Sequence, residues 1–127
     1  MSAENTIAKN VFDAGLKVHK ALGPGLLESA YEECLYFEIL KMGLHAEKQK
    51  ALPLIYEDIK MEIGYRADIL VEGKLIVEVK SVEALNDIHL AQMLTYLKIA
   101  NCKLGLLINF NVLLFKSWVR RVINGTL

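Results

Sequence analysis

The sequence predicts an α/β sandwich, with helices packed on a central mixed β-sheet. Three observations carry this. Two segments of helical period open the chain, and strand-like runs fill residues 47–79. A third helical segment then leads into the continuous apolar run from Leu104 to Phe110. The order helix, helix, strands, helix, strands sets helices against a sheet.

Each element has its own signal. From Asn5 to Leu22, apolar residues fall at Ile7, Val11, Ala14 and Val18, which is helical spacing. Gly23-Pro24-Gly25 breaks the chain. A second helix is expected from Leu26 to Met42, with Leu27, Ala30, Tyr31, Cys34, Leu35 and Phe37 as apolar positions and Gly43 as its stop. Glu47 to Tyr56 and Lys60 to Tyr65 read as strands, with a turn near Glu57-Asp58. Ala67 to Val71 and Leu75 to Val79 read as a hairpin around Gly73. Leu85 to Ala100 returns to helical spacing through Leu85, Ile88, Ala91, Leu94 and Tyr96 or Leu97. The unbroken apolar run from Leu104 to Phe110 marks a buried central strand. Val112 to Val122, which contains Trp118, is expected to add a last strand.

The chain has 127 residues, which fits one domain spanning 1–127 and is long enough to bury a core. Hydrophobic residues make up 54% and charged residues 24%, a globular, soluble composition. No apolar run reaches the ~18 residues of a membrane span, and no secretory signal is visible at the N-terminus. Cys34 and Cys102 lie far apart and form no CxxC pair. They read as reduced thiols of a cytoplasmic protein, and they argue against a zinc site or an iron–sulfur cluster. Fifteen basic residues balance 15 acidic ones. That argues against tight non-specific nucleic-acid binding but leaves room for a local basic patch, with Lys116, Arg120 and Arg121 as candidates.

Three charged residues, Asp68, Glu78 and Lys80, sit inside the two apolar runs of the hairpin. Burying carboxylates beside Val and Ile is costly unless something compensates the charge. Side chains alternate along a strand, so Glu78 and Lys80 share a face while Val77 and Val79 point the other way into a core. The loop decides where Asp68 falls. A two-residue loop at Glu72-Gly73 sets Asp68 opposite Val77, on the wrong face. A three-residue loop, Glu72-Gly73-Lys74, sets it opposite Glu78, with Cβ atoms ~5 Å apart. Two carboxylates that close repel each other without a cation between them. A hard, oxygen-liking ion such as Mg²⁺ resolves this and keeps waters of its own. The plain alternative is a solvated strand face carrying a Glu–Lys ion pair. Against it, Asp is a poor strand former, and three apolar residues follow Asp68.

Gly25-Leu26-Leu27-Glu28-Ser29-Ala30-Tyr31 matches a GxxExxY signature. His19-Lys20-Ala21-Leu22-Gly23-Pro24 precedes it, and Ile108-Asn109-Phe110 follows later. Together these resemble the GxxExxY protein family of the PD-(D/E)XK nuclease-like superfamily, from about Ile7 to Val122. The resemblance implies a restriction-endonuclease-like αβββαβ core, a central mixed β-sheet flanked by helices. It implies that Asp68 and Glu78 bind Mg²⁺ (or Mn²⁺), together with the backbone carbonyl of Val79. It makes Lys80 the catalytic lysine and Glu28 the further acid that completes the metal site, often through water. Arg66-Ala67-Asp68 lacks the proline of the superfamily's name.

Other residues are weighed against plainer roles. Glu28 and Tyr31 share a helix face, and simple capping explains an acid at a helix start. Gln92 and Tyr96 resemble the QxxxY element of RecB-like nucleases, which implies nucleic-acid binding beside the metal. A half-buried tyrosine with a polar neighbour is the plainer reading. Some RecB-like nucleases add a metal-binding His from an early helix, a position His19 resembles, yet a surface or core histidine is the simpler assignment. His89 is treated in the same way, and His45 reads as a loop residue. Trp118 and Phe115 are candidates for base stacking, though packing explains them as well. Asn109-Phe110-Asn111 reads as a strand end and turn.

The expected function is hydrolysis of phosphodiester bonds, in DNA. The alternative is a catalytically silent nucleic-acid- or protein-binding module on a nuclease scaffold, since fold does not dictate activity. Neutral charge and small size fit a domain that relies on a partner protein for targeting, and a homodimer is the other arrangement considered. No membrane partner is expected.

Overall fold

Leu104–Asn109 forms β6, and all of its residues are buried, as the apolar stretch from Leu104 to Ile108 requires. It lies inside a sheet of order β1-β4-β5-β6-β7. The members are β1 (Ala46–Ala51), β4 (Arg66–Val71), β5 (Leu75–Lys80), β6 and β7 (Val119–Ile123). Only the β5–β6 pair is parallel. Parallel neighbours need a crossover, and α3 (Asp87–Ala100) supplies it. The computed structural model describes residues 2–127, and at Ser117 and Trp118 the backbone alone. Among the described residues, no helix is long and apolar enough to cross a membrane.

Both faces of the sheet are covered. On one, Val11, Ala14 and Val18 of α1 (Ala3–Leu22) and Leu35 and Ile39 of α2 (Glu28–Lys41) pack on Val71, Val77, Val79 and Ile108. On the other, Met93 and Leu97 of α3 meet Ile76 and Leu107. The expected mixed α/β architecture is therefore present, with helix bounds shifted by only a few residues. The helix starts are set by side chains. Ser2 accepts the Asn5 amide at 3.1 Å. Asn86 accepts the amides of Ile88 and His89, while His89 Nδ1 accepts the Asn86 amide at 3.2 Å. His89 is thus half of a capping box.

Three strand assignments need correction. The run expected from Glu47 to Tyr56 ends at Ala51, because Pro53 brings no N–H to the ladder. Leu54–Tyr56 (β2) and Ile59–Met61 (β3) instead form a separate two-stranded hairpin, and residues 62–65 are not strand. The Leu52 amide donates to the Tyr65 carbonyl at 2.8 Å and closes this excursion at its base. The last strand starts only at Val119. A 3₁₀ turn at Phe115–Trp118 precedes it and carries Phe115 into the core. There Phe115 packs against Phe12, His19 and Phe110, with centroids 5.4–5.5 Å apart. Phe115 is a core residue and not a base-stacking platform. The side chain of Trp118 lies outside the described residues.

The β4–β5 hairpin uses the longer of the two expected loops. Val71 pairs with Leu75, so Glu72, Gly73 and Lys74 form the turn. Glu72 and Gly73 both have φ in the left-handed region, at 54° and 64°.

Tyr31 explains the turn before α2. Its hydroxyl donates to the Gly23 carbonyl at 2.6 Å and accepts the Leu26 amide at 3.0 Å. Its ring stacks on Phe110 at 4.6 Å. One phenol thereby pins Gly23 to Leu26 against the strand end. Tyr31→Phe leaves both backbone groups without this partner. Urea unfolding is expected to show a loss of about 1–3 kcal/mol with the fold retained. An unchanged midpoint would show that the clamp contributes nothing.

Candidate functional site

The backbone ladder between β4 and β5 runs through Val71–Leu75, Leu70–Ile76 and Ile69–Val77, and stops there. One step further, side chains take over. Glu78 Oε2 accepts the Asp68 amide at 2.7 Å, and Asp68 Oδ2 accepts the Val79 amide at 2.8 Å. The two carboxylates therefore stand where the strands part, each held by an amide of the opposite strand. One oxygen of each is left outside these bonds. Asp68 Oδ1 meets Gln49 Nε2 at 3.4 Å.

Burial sets the electrostatics. Glu78 is 5% exposed. Its carboxyl is pushed up to about 8, first by burial and then by the charge of Asp68. Asp68 is raised as well, mainly by burial, with the Val79 amide and the charge of Lys80 pulling the other way. The half-buried Lys80 thus lies close enough to lower both acids, and among the described residues no ion pair engages its ammonium. Asp68, Glu78 and Lys80 are brought together.

Glu28 stands at the edge of this group. Its Oε2 accepts the Ser81 amide at 3.0 Å, and Ser81 Oγ donates to the Leu26 carbonyl at 2.7 Å. It thereby ties the start of α2 to the loop after Lys80. Its charge still reaches Asp68 and raises it. Gly25, with φ 103°, turns the chain into this contact.

Two neighbours escaped the sequence reading. Glu32 is one turn beyond Glu28, and burial raises its carboxyl. It accepts Gln49 Nε2 at 2.9 Å, so Gln49 bridges Glu32 and Asp68. Gln49 sits inside β1 with φ 52°, between the paired residues Lys48–Ile69 and Lys50–Ala67. A left-handed glutamine in a strand is strained, and here it aims its amide at the acids. The spacing of Glu28 and Glu32 was a usable signal, because residues four apart share a helix face. Nothing in the sequence marks Gln49.

On the other side stands α3. Gln92 Nε2 donates to Tyr96 Oη at 3.2 Å. The Tyr96 phenol is raised by burial and then by the charges of Glu78 and Asp68, so it lies beside the acids. The remaining candidates have structural roles. His19 is buried and its Nε2–H donates to the Val112 carbonyl at 2.6 Å, away from the acids. His45 is exposed. Asn109 is fully buried. Its side chain donates to the Val82 carbonyl at 3.0 Å and accepts the Val82 amide at 3.2 Å, fixing the loop that follows Lys80. Of the basic candidates, Arg121 donates to Asn5 Oδ1 at 2.6 Å on strand β7.

Among the described residues, no group of three or more His, Cys, Asp or Glu side chains gathers around one point. The donors that converge are two carboxylates, already oriented by amides and carrying spare hard oxygens. That set suits Mg²⁺ or Mn²⁺, because Mg²⁺ binds through one or two carboxylates and keeps several waters. It lacks the Cys and His ligands on which structural zinc sites are built.

Comparison with protein families matches residues 5–122 to the PD-(D/E)XK nuclease superfamily. Nucleases of that superfamily generally use divalent metals. Comparison with curated proteins gave no match, and neither did comparison with solved structures.

The raised Glu78 carboxyl has a signed consequence. Between its ordinary 4.5 and about 8, the folded chain keeps a proton that the unfolded chain has released. This contribution is full below 4.5 and is lost as pH rises through 8. Glu78→Gln is neutral throughout. In chelator, its Tm should match wild type near pH ~4 and exceed it by roughly 10 °C or more near pH ~8.5. Parallel pH profiles for the two chains would contradict the buried-acid account.

Proposed function

The chain belongs to the PD-(D/E)XK nuclease superfamily, and we propose that it hydrolyses phosphodiester bonds in DNA with Mg²⁺ or Mn²⁺. The observation that carries this reading is the convergence of Asp68 and Glu78 where β4 and β5 part, with the Lys80 ammonium beside them. A nucleic-acid substrate follows from the superfamily in general. The choice of DNA, the cation and the residue roles are our reading.

Asp68 and Glu78 would hold the cation, with the Val79 carbonyl alongside. When bound, the cation would activate the attacking water and spread the charge of the phosphate. The chain's own residues do the rest. The amides of Asp68 and Val79 orient the two carboxylates before any ligand arrives, so little reorganisation is needed. Lys80 supplies positive charge where negative charge develops, at the dividing phosphate. Glu28 and Ser81 fix the loop that carries Lys80, and Glu28 would support the cation. Gln92 and Tyr96 offer an amide and a phenol for the nucleic acid on the α3 side.

A second reading has its own support. One oxygen of each of Asp68, Glu78 and Glu28 is already held by a backbone amide, as in a silent scaffold that binds nucleic acid or a partner protein. Two measurements separate the readings. With Mn²⁺ or Mg²⁺, the nuclease gains thermal stability and cuts labelled DNA. Asp68→Asn and Lys80→Ala each reduce cutting by at least about 100-fold, with melting still cooperative. A binding module shows neither the metal-dependent rise in Tm nor the cutting.

A further inference from the structure

Residues 52–65 leave the sheet between β1 and β4 and return through the neck closed by Leu52 and Tyr65. A cleft of about 430 Å³ opens beside that neck, lined by Pro53, Lys60, Glu62, Ile63, Tyr65 and Arg66. It adjoins the acids. Arg66 and Asp68 are two apart on β4, so they share a face at about 7 Å along the strand. The Tyr65 ring lies 6.0 Å from that of Tyr96, the phenol that stands beside Glu78.

The wall chemistry is that of a nucleotide. Tyr65 is 40% exposed and offers an aromatic ring at the cleft. Arg66 donates Nη1 to the Gln49 carbonyl at 3.2 Å, and its fork of donors has further N–H groups for a phosphate. Glu62, the acid in the wall, is paired with Lys60 at 3.4 Å, which offsets its charge. The volume is that of a small-ligand site. It matches a single nucleotide in size.

We propose that this cleft takes an unpaired nucleotide next to the phosphate that is cut, with its base on Tyr65 and its phosphate at Arg66. The substrate is then single-stranded at the point of cleavage. This rests on the nuclease reading for the position of the cut, but the binding itself is separable.

The binding arm uses the Asp68→Asn chain in chelator, with a fluorescent single-stranded DNA octamer and the same sequence as a blunt duplex. Anisotropy should show tighter binding of the single strand. Adding Tyr65→Ala should weaken it roughly 5-fold or more, the loss expected for one stacked base. Tyr65→Phe should retain it. Arg66→Gln should also weaken it and flatten its salt dependence. Thermal melts check that each variant folds. No single-strand binding, a duplex preference, or an unchanged affinity in Tyr65→Ala overturns the proposal. The cutting arm uses the wild-type chain with Mn²⁺. Tyr65-dependent binding without cutting leaves the cleft standing and removes the nuclease reading. Cutting with Tyr65-independent binding does the reverse.

Discussion

Two carboxylates take the place of a β-ladder where β4 and β5 part, and the rest of the site depends on that exchange. Strand pairing stops after Ile69–Val77. Asp68 and Glu78 then hold each other's strands by accepting opposite amides. The arrangement opens the sheet without orphaning its donors, which would be costly at this depth. It also sets two acids in a buried place, which pushes both carboxyls up, and the charge of Asp68 raises Glu78 further. A hard cation relieves that cost in a way that a solvated ion pair does not.

The surrounding residues read as supports for this opening. Tyr31 pins the glycine turn, Glu28 and Ser81 join that turn to the segment after Lys80, and Asn109 holds Val82 from the neighbouring strand. The three marked positions of the GxxExxY signature thus have separable physical jobs. Gly25 makes the turn, Glu28 ties it across to Ser81, and Tyr31 locks it. Glu28 acts through the loop at least as much as through the acids, which explains why no three-acid cage forms among the described residues. Gln49 adds strain at the same place, and its amide couples Glu32 to Asp68.

Much of this was legible in the sequence, for identifiable reasons. Strand β6 announced itself because a strand buried on both faces is apolar along most of its length, here from Leu104 to Ile108. The hairpin register followed from side-chain alternation once the loop length was known. Three consecutive apolar residues after Asp68 already spoke against a solvated face. The excursion at 52–65 was misread because β-branched residues favour strands regardless of which sheet they join, and only Pro53 hinted at the break. Phe115 was ambiguous because a 3₁₀ turn has no period of its own. Gln49 was invisible because its role comes from a backbone angle that its side chain does not advertise.

The central claim is that the parted strands present two oriented carboxylates to one hard cation. Crystals soaked in Mn²⁺ and measured for its anomalous scattering test this directly. The account predicts a single strong peak bonded to one oxygen of Asp68 and one of Glu78, at roughly 2.0–2.3 Å. A clean map with no peak there, or a peak held instead by Glu32 and Glu28 away from both strands, would contradict it.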